Sequence, residues 1–202
     1  MKLYYYPGAC SMAVHIALRE AGIPFDLDKV DLANKRAASG EDYAKVNPKG
    51  YVPALRLDDG QILTEVAVLL QYVADLKPAS GLAPKAGTIE RYRLMEWLNF
   101  ISSEVHKTLS ALFNPKITPE WKDNQIALFG RRCDFLVQQL GGKPHLTGDK
   151  FTIADAYLFT ILGWANLFKL DMSKWPALQS YAARITARPA VKDAMKAEGL
   201  LK

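Results

Sequence analysis

With 202 residues, half of them hydrophobic and 23% charged, the chain is long enough to bury one large core or two small ones. Lysine and arginine exceed aspartate and glutamate by 26 to 21, but no run of five or six basic residues occurs. This pattern argues against nucleic-acid binding and weakly favours small anionic ligands. The two cysteines, Cys10 and Cys133, are far apart, which disfavours a disulfide framework and a thiolate metal cluster.

Segments for targeting or membrane insertion are not evident. Residues 1–6 lead directly into a Pro-Gly turn and contain no apolar stretch of the signal-peptide kind. The most apolar segments, residues 66–70 and 157–162, are interrupted by polar residues well before the length of a membrane span. We therefore expect a cytoplasmic protein that binds neither membrane nor nucleic acid.

The first part of the chain alternates short strands with helices. The aromatic run at residues 2–6 ends at a Pro-Gly turn and predicts a strand. Residues 11–21 predict a helix that Ser11 caps and that stops at Gly22. Residues 25–30 alternate as a second strand.

A hairpin and a further helix follow a variable middle segment. Residues 54–57 and 62–63 flank Asp-Asp-Gly, which is a hairpin signal. Thr64 is placed to cap a helix in which apolar residues from Val66 onward follow the spacing i, i+3, i+4, i+7. Together these elements predict an α/β domain made of a strand, a helix, a strand, a variable middle segment, a hairpin and a last helix.

Residues 77–88 hold two prolines, two glycines and small residues without periodicity, which is typical of a linker. We therefore divide the chain into an α/β domain (1–78), a linker (79–88) and an all-helical domain (89–202). The helical domain is predicted to contain helices over about 89–113 and 122–140, one from Thr152, and short ones around Pro176 and Pro189.

Cys10 is the first candidate for chemistry. It follows a strand and a turn and directly precedes a predicted helix, where free backbone N–H groups and the helix dipole would stabilise a thiolate. A small buried thiol at a tight turn is an equally good interpretation of the placement alone.

Two backbone positions are candidates for binding a peptide-like ligand. Val52 precedes Pro53 at the start of a strand; if this bond is cis, Val52 could present its N–H and C=O groups to an extended peptide, although an ordinary proline at a strand start is the simpler interpretation. At the next helix start, the residue 66 amide could receive a carboxylate while Glu65 receives an ammonium group. An ordinary cap by Thr64 is again the simpler interpretation.

On the long helix, Asn99, Ser103 and His106 are spaced by four and three, so an α-helix places them on one face. This polar row could line a cleft, or it could be a solvated helix face. We interpret the remaining histidines, His15 and His145, and also Cys133, as structural residues.

The whole chain resembles the cytosolic glutathione transferases, specifically the bacterial beta class. The resemblance rests on residues 4–11 (YYYPGACS), 46–55 (VNPKGYVPAL) and 63–65 (LTE), in the family order. A further match is the helix-capping motif in which Thr152 caps and Asp155 reaches back. The resemblance implies an α/β thioredoxin-like domain with the order βαβαββα, followed by an all-helical domain. It also implies a soluble homodimer, and glutathione as co-substrate with no bound cofactor or metal.

The resemblance also implies roles for individual residues. Cys10 would lie against the glutathione sulfur and form a mixed disulfide with it, and His106 would hydrogen-bond at the sulfur. The cysteinyl backbone would pair with Val52 before a cis Pro53, and the γ-glutamyl end with Glu65 and the residue 66 amide. The rest of the pocket would consist of Lys35 at the glycine carboxylate, Leu32, Tyr51, Ser103, and Asn99 from the same or the second subunit.

One position departs from the family pattern. Many members have serine where this chain has Val66, so we expect glutathione binding to lose about 0.5 to 1.5 kcal/mol, the contribution of one hydrogen bond. Tyr5 and Ser11 are close to Cys10 in sequence, and other classes activate glutathione with a hydroxyl, so the activating group stays open.

The implied reaction is attack of the glutathione thiolate on a hydrophobic electrophile, with thiol exchange, disulfide reduction or dehalogenation as further activities of a cysteine-type member. Apolar residues such as Leu112, Phe113, Trp164 and Phe168 would hold the electrophile, whose identity stays open. The alternative is a non-catalytic module that binds a partner protein or a hydrophobic ligand. Retention of Cys10, Glu65 and His106 argues against that alternative.

Overall fold

A computed structural model describes residues 1–201, which form two compact units. The second unit comprises residues 84–186, and the first combines residues 1–83 with the segment from Ala187 onward. The sequence-based division placed that last segment in the helical domain. In the structure it joins the first unit, because its helix packs against the helix that follows Cys10.

The elements occur in the following order. The strands are β1 (Lys2–Tyr5), β2 (Asp26–Asp31), β3 (Arg36–Ala37), β4 (Ala54–Arg56) and β5 (Ile62–Thr64). The α-helices are α1 (Ser11–Ala21), α2 (Tyr43–Val46), α3 (Val66–Leu76), α4 (Ile89–Phe100), α5 (Lys107–Ser110), α6 (Pro119–Leu140), α7 (Ile153–Leu167), α8 (Pro176–Thr186) and α9 (Pro189–Ala197). A π-helical segment, Ile101–His106, joins α4 to α5, and 3₁₀ turns cover Pro78–Ser80 and Ala111–Phe113.

The strands of the first unit form one mixed sheet in the order β3-β2-β1-β4-β5. β1 pairs parallel with β2, and the other pairs are antiparallel. The predicted hairpin is confirmed, since Leu55 of β4 pairs with Leu63 of β5. The predicted βαβαββα order is confirmed as well, with the short strand β3 added in the variable middle.

The central strand β1 has a buried side chain on each face, because neighbouring residues of a strand point to opposite sides. Leu3 and Tyr4 are both 0% exposed. Tyr4 belongs to a cluster with Tyr43, Val52 and Ala54. The helices α1, α3 and α9 pack together elsewhere in the same unit. The cluster around Tyr4 therefore supports the segment that carries Val52.

The second unit is all-helical, as predicted, and α7 is its central helix. Nearly every residue of α7 is buried, and α4, α5 and α8 pack against it. Its start confirms the predicted capping motif: the Asp155 carboxylate accepts from the Thr152 N–H at 2.8 Å and from the Thr152 hydroxyl at 3.0 Å. No helix within residues 1–201 is both long enough and apolar enough to cross a membrane.

Candidate functional site

Cys10 lies at the start of α1, in the turn that follows β1. Its thiol donates to the Val52 carbonyl, with 3.4 Å between Sγ and the oxygen. Ser11 does not cap the helix as predicted, because its hydroxyl is engaged with the Tyr6 backbone, accepting from the N–H and donating to the C=O at 3.3 Å each. The turn therefore presents the Cys10 thiol, and not the Ser11 hydroxyl, to the segment around Val52.

Burial raises the pKa of the Cys10 thiol to about 12. The backbone N–H groups of Cys10 and Ser11 act in the opposite direction, and the negative charge of Glu65 adds to the rise. The N–H groups at the helix start therefore act on the thiol pKa in the predicted direction, but burial has the larger effect. The cost of desolvating a charged sulfur is larger than the stabilisation that the N–H groups at the helix start provide. Cys10 is therefore a neutral hydrogen-bond donor.

The segment that receives this thiol is fixed by side chains of its own unit. The peptide bond between Val52 and Pro53 is cis, as the family resemblance implied. The Tyr51 carbonyl accepts from the Tyr43 hydroxyl at 3.0 Å and from Asn47 Nδ2 at 2.6 Å. The Tyr51 ring is 57% exposed, whereas Val52 is 4% exposed. Hydrogen bonds to Tyr51 thus hold the backbone next to Cys10 in place.

Glu65 and Val66 form the start of α3. Glu65 precedes the helix with φ 71°, and Val66 is its first residue. The Glu65 carboxylate contacts the ammonium group of Lys49, which also donates to the Thr64 hydroxyl at 2.8 Å. The predicted Thr64 cap is therefore wrong: Thr64 ends β5, and its hydroxyl bonds to Lys49 instead. Within the first helical turn the Val68 N–H donates to the Glu65 carbonyl at 3.0 Å, which leaves the N–H groups of Val66 and Ala67 for an acceptor.

Two further predicted residues lie in the same unit. The backbone of Lys35 has φ 53°, and its ammonium group donates to the Gly50 carbonyl at 2.7 Å. Leu32 is half-buried and packs against the cluster that contains Val52. These contacts place Lys35 and Leu32 beside the segment that carries the cis peptide bond.

Sequence reasoning missed the anchor of the loop before Cys10. The buried Glu198 carboxylate accepts from the Gly8 N–H at 2.9 Å and bonds to His15 Nδ1 at 2.8 Å. Arg19 Nε donates to His15 Nε2 at 2.8 Å, so Nε2 is the acceptor and Nδ1 carries the proton. His15 is structural, as predicted. Its partner Glu198 is 183 residues away, and no local pattern signals that distance.

Tyr5 packs against the same network, through the ring of His15. Its ring lies 6.4 Å from that of His15, and burial followed by the charge of Glu198 raises the pKa of the Tyr5 hydroxyl. Tyr5 therefore belongs to the packing of His15. Neither Tyr5 nor Ser11 takes the place next to Val52 that Cys10 occupies.

In the second unit, the polar row on the long helix crosses the π-helical segment. Ser103 and His106 lie in it, whereas Asn99 lies in the preceding α-helix. The Ser103 hydroxyl donates to the Asn99 carbonyl at 3.0 Å, and the side chains of both residues are exposed. The 3.6-residue spacing that predicted a common face does not hold through a wider π-turn. Such turns often occur at functional sites.

His106 belongs to an aromatic cluster. Its Nδ1 lies 2.7 Å from the Tyr157 hydroxyl, and its ring stands edge-on to Trp164 at 5.0 Å. Phe113 packs edge-on against Trp164 at 5.0 Å and against Phe168 at 4.7 Å. Trp164 is buried, but Phe113 is 48% exposed. Three of the four residues predicted to hold the electrophile, Phe113, Trp164 and Phe168, thus form one ring cluster that reaches the His106 imidazole.

The other residues interpreted as structural have internal surroundings. Cys133 is 0% exposed in α6, and burial raises the pKa of its thiol to about 12. The buried His145 has its Nδ1 3.1 Å from the Asp149 carbonyl. Among residues 1–201, no group of three His, Cys, Asp or Glu side chains is arranged to hold a metal ion.

Family models of the glutathione S-transferase N-terminal and C-terminal domains match residues 8–76 and 100–189. The chain is 46% identical over 200 residues to glutathione S-transferase GstA of Escherichia coli O157:H7, covering 99% of this chain and 100% of the relative. A solved sphingomonad glutathione S-transferase complexed with glutathione is 48% identical, with a TM-score of 0.96 and coverage of 99% and 100%. A beta-class glutathione S-transferase from Sphingomonas chungbukensis is also 48% identical, with a TM-score of 0.96 and full coverage of both chains.

Proposed function

The chain belongs to the glutathione S-transferase family, in its bacterial beta class, and we propose that it binds glutathione in an extended form along Val52 and Glu65, beside the Cys10 thiol. The predicted family, enzyme class and co-substrate are confirmed: the chain is a glutathione S-transferase, and glutathione is its co-substrate rather than a bound cofactor. The comparisons give no support to a non-catalytic module.

The contact of 3.4 Å between Cys10 Sγ and the Val52 carbonyl carries the proposal. A cysteinyl backbone that pairs with Val52 carries its own side chain into the neighbourhood of that carbonyl. The sulfur of glutathione would therefore lie next to Cys10. Since the free thiol already uses the Val52 carbonyl as acceptor, the ligand N–H replaces the Cys10 S–H there, and Cys10 is released to donate to the ligand sulfur.

The charges of the first unit match the two ends of glutathione. The Glu65 carboxylate receives the α-ammonium group, and the Val66 N–H at the start of α3 receives the α-carboxylate. Lys35 receives the glycine carboxylate at the other end. Leu32 and the exposed Tyr51 ring flank the ligand. Asn99, Ser103 and His106 are assigned to glutathione binding on the family resemblance, with His106 at the sulfur.

Two reactions follow from a neutral Cys10. In conjugation, the Cys10 S–H donates to the glutathione thiolate, which lowers the thiol pKa and allows the sulfur to attack the electrophile. In thiol exchange, Cys10 gives up its proton as its sulfur attacks a glutathionylated disulfide, and that proton ends on the released thiol. A second glutathione thiolate then attacks the Cys10 mixed disulfide, which releases oxidised glutathione and regenerates Cys10.

The remaining elements of the proposal are the electrophile, the assembly and the location. We assign the electrophile to the ring surface of Phe113, Trp164 and Phe168, which favours a hydrophobic, aromatic substrate. We expect a homodimer, as is general for the family. Two free thiols, at Cys10 and Cys133, fit a reducing cytoplasm.

Calorimetric titration of reduced glutathione tests the binding mode. We expect micromolar to millimolar affinity for the wild-type protein and binding about 10- to 100-fold weaker for Glu65→Ala, since a hydrogen bond to a charged group is worth about 1.5 to 3 kcal/mol. Mass spectrometry after exposure to oxidised glutathione should find one glutathione adduct, on Cys10. Equal binding by both proteins would contradict the role of Glu65, and an adduct on Cys133 alone would contradict that of Cys10.

A further inference from the structure

We propose that Lys49 is a specificity residue of this site that recognises the α-carboxylate of the γ-glutamyl group. The inference rests on the proposed function, because it presupposes that glutathione binds at Glu65 and Val66. Lys49 was not among the predicted binding residues. Its place in the fold, next to the start of α3, is what singles it out.

The contacts of Lys49 define where its charge lies. The ammonium group touches the Glu65 carboxylate and donates to the Thr64 hydroxyl at 2.8 Å. Thr64 and Glu65 are the two residues that precede Val66, whose N–H begins α3. A carboxylate bound at that N–H is therefore within reach of Lys49, which already bonds to both neighbouring residues.

The charge pattern favours a zwitterion at this position. In the structure, Glu65 and Lys49 neutralise each other. When the ammonium group of glutathione takes the Glu65 carboxylate, Lys49 loses its partner while the α-carboxylate of the same ligand arrives beside it. Four charges then alternate in sign. Without Lys49, the ligand carboxylate would have only the ligand's own ammonium group and the helix start as positive neighbours.

Lys49 can exchange Glu65 for the ligand carboxylate at little cost, because the ion pair between Lys49 and Glu65 is exposed. The side chains of Lys49 and Glu65 are 41% and 59% exposed, and such pairs contribute little to stability. Lys49 can therefore leave Glu65 without disrupting the fold. A buried pair would resist this exchange, since each charge would be left without a partner.

The charge count of the site supports a separate role for Lys49. Glutathione carries two carboxylates and one ammonium group, and this region of the first unit carries Lys35, Lys49 and Glu65. Lys35 donates to the Gly50 carbonyl, whereas Lys49 bonds at the start of α3, so the two cations occupy different places. Each lysine thus serves one carboxylate of the ligand.

The test compares glutathione with 4-aminobutanoyl-cysteinyl-glycine, which lacks only the α-carboxylate. In the transferase assay we expect Lys49→Met to raise KM for glutathione about 10-fold with kcat unchanged, and to leave KM for the analogue unaltered. Lys49→Arg should keep most of the preference for glutathione, and Lys49→Gln should lose it as Lys49→Met does. The matched control is Lys45→Met, which removes one exposed positive charge from the neighbouring helix α2 and should change neither KM.

The outcomes separate this inference from the proposed function. If the wild type fails to bind glutathione in calorimetry, the proposed function is wrong and the inference falls with it. A second case is that the wild type binds glutathione while Lys49→Met and Lys49→Gln still prefer glutathione to the analogue as strongly as the wild type does. In that case the inference alone is wrong. Tighter binding of both ligands by these variants would show that Lys49 only competes for Glu65, which would also overturn the inference.

Discussion

The two units offer different kinds of surface to their proposed ligands. The first unit offers a backbone carbonyl at Val52, a helix start at Val66 and the paired charges of Glu65 and Lys49. The second offers the exposed Phe113 ring, which packs on Trp164, and Trp164 in turn contacts the His106 imidazole. Directional hydrogen bonds and charges select one chemical structure, whereas ring faces select size and shape. The proposed glutathione site is thus selective, and the proposed electrophile surface is permissive.

The pH dependence of Cys10 alkylation tests the polar region most strongly. Because burial raises the pKa of Cys10 to about 12, the thiolate fraction should rise about tenfold for each pH unit up to that value. We expect the rate of iodoacetamide modification to rise about a thousandfold between pH 7 and pH 10 with no plateau. Mass spectrometry distinguishes Cys10 from Cys133. A plateau near pH 7 would mean that the helix start outweighs burial after all.

Removal of the Cys10 thiol distinguishes disulfide reduction from conjugation. Cys10→Ala should lower the reduction of a glutathionylated disulfide more than about 100-fold, because no other described group of the first unit can form the mixed disulfide. Conjugation should fall less, since only one hydrogen-bond donor to the glutathione sulfur is lost. Cys133→Ala is the matched control and should keep both activities. If Cys10→Ala left disulfide reduction unchanged, the redox assignment would be wrong.

The aromatic region is tested by removal of a single ring. Phe113→Ala should raise KM for an aromatic electrophile about 5- to 30-fold, which corresponds to about 1 to 2 kcal/mol of lost apolar contact. KM for glutathione should stay the same. Phe135→Ala removes a ring of similar exposure that packs with Trp97 and Phe100, outside the Phe113 cluster. An equal rise of KM in both variants would show a general loss of packing rather than a substrate contact.

The smallest expected effect concerns the departure from the family pattern. Val66→Ser restores a hydroxyl at the start of α3 and should tighten glutathione binding about 2- to 10-fold, the equivalent of about 0.5 to 1.5 kcal/mol. Calorimetric titration of glutathione measures the change. Unchanged or weaker binding would mean that the backbone N–H alone serves the carboxylate and that the buried valine side chain packs better than serine.

Features carried by neighbouring residues could be predicted from the sequence. The strand at residues 2–6, the hairpin around Asp-Asp-Gly and the Thr152–Asp155 capping motif are confirmed. Where another hydrogen-bond partner competed for a hydroxyl group, the predicted helix cap was wrong. Ser11 and Thr64 look like helix caps, but Tyr6 and Lys49 take their hydroxyl groups. The π-helical segment that contains His106 also escaped prediction, because side-chain periodicity does not report which backbone hydrogen bond forms.

The sequence by itself determined the order of the elements, the family, and the placement of Cys10 at a helix start, because short-range backbone geometry and apolar periodicity follow from adjacent residues. Only the tertiary structure decided that Cys10 is a neutral donor to Val52, that Lys49 lies on Glu65, and that Glu198 holds the loop at Gly8. These features depend on burial and on contacts between segments far apart in the chain. Desolvation and long-range pairing arise only when the chain has folded.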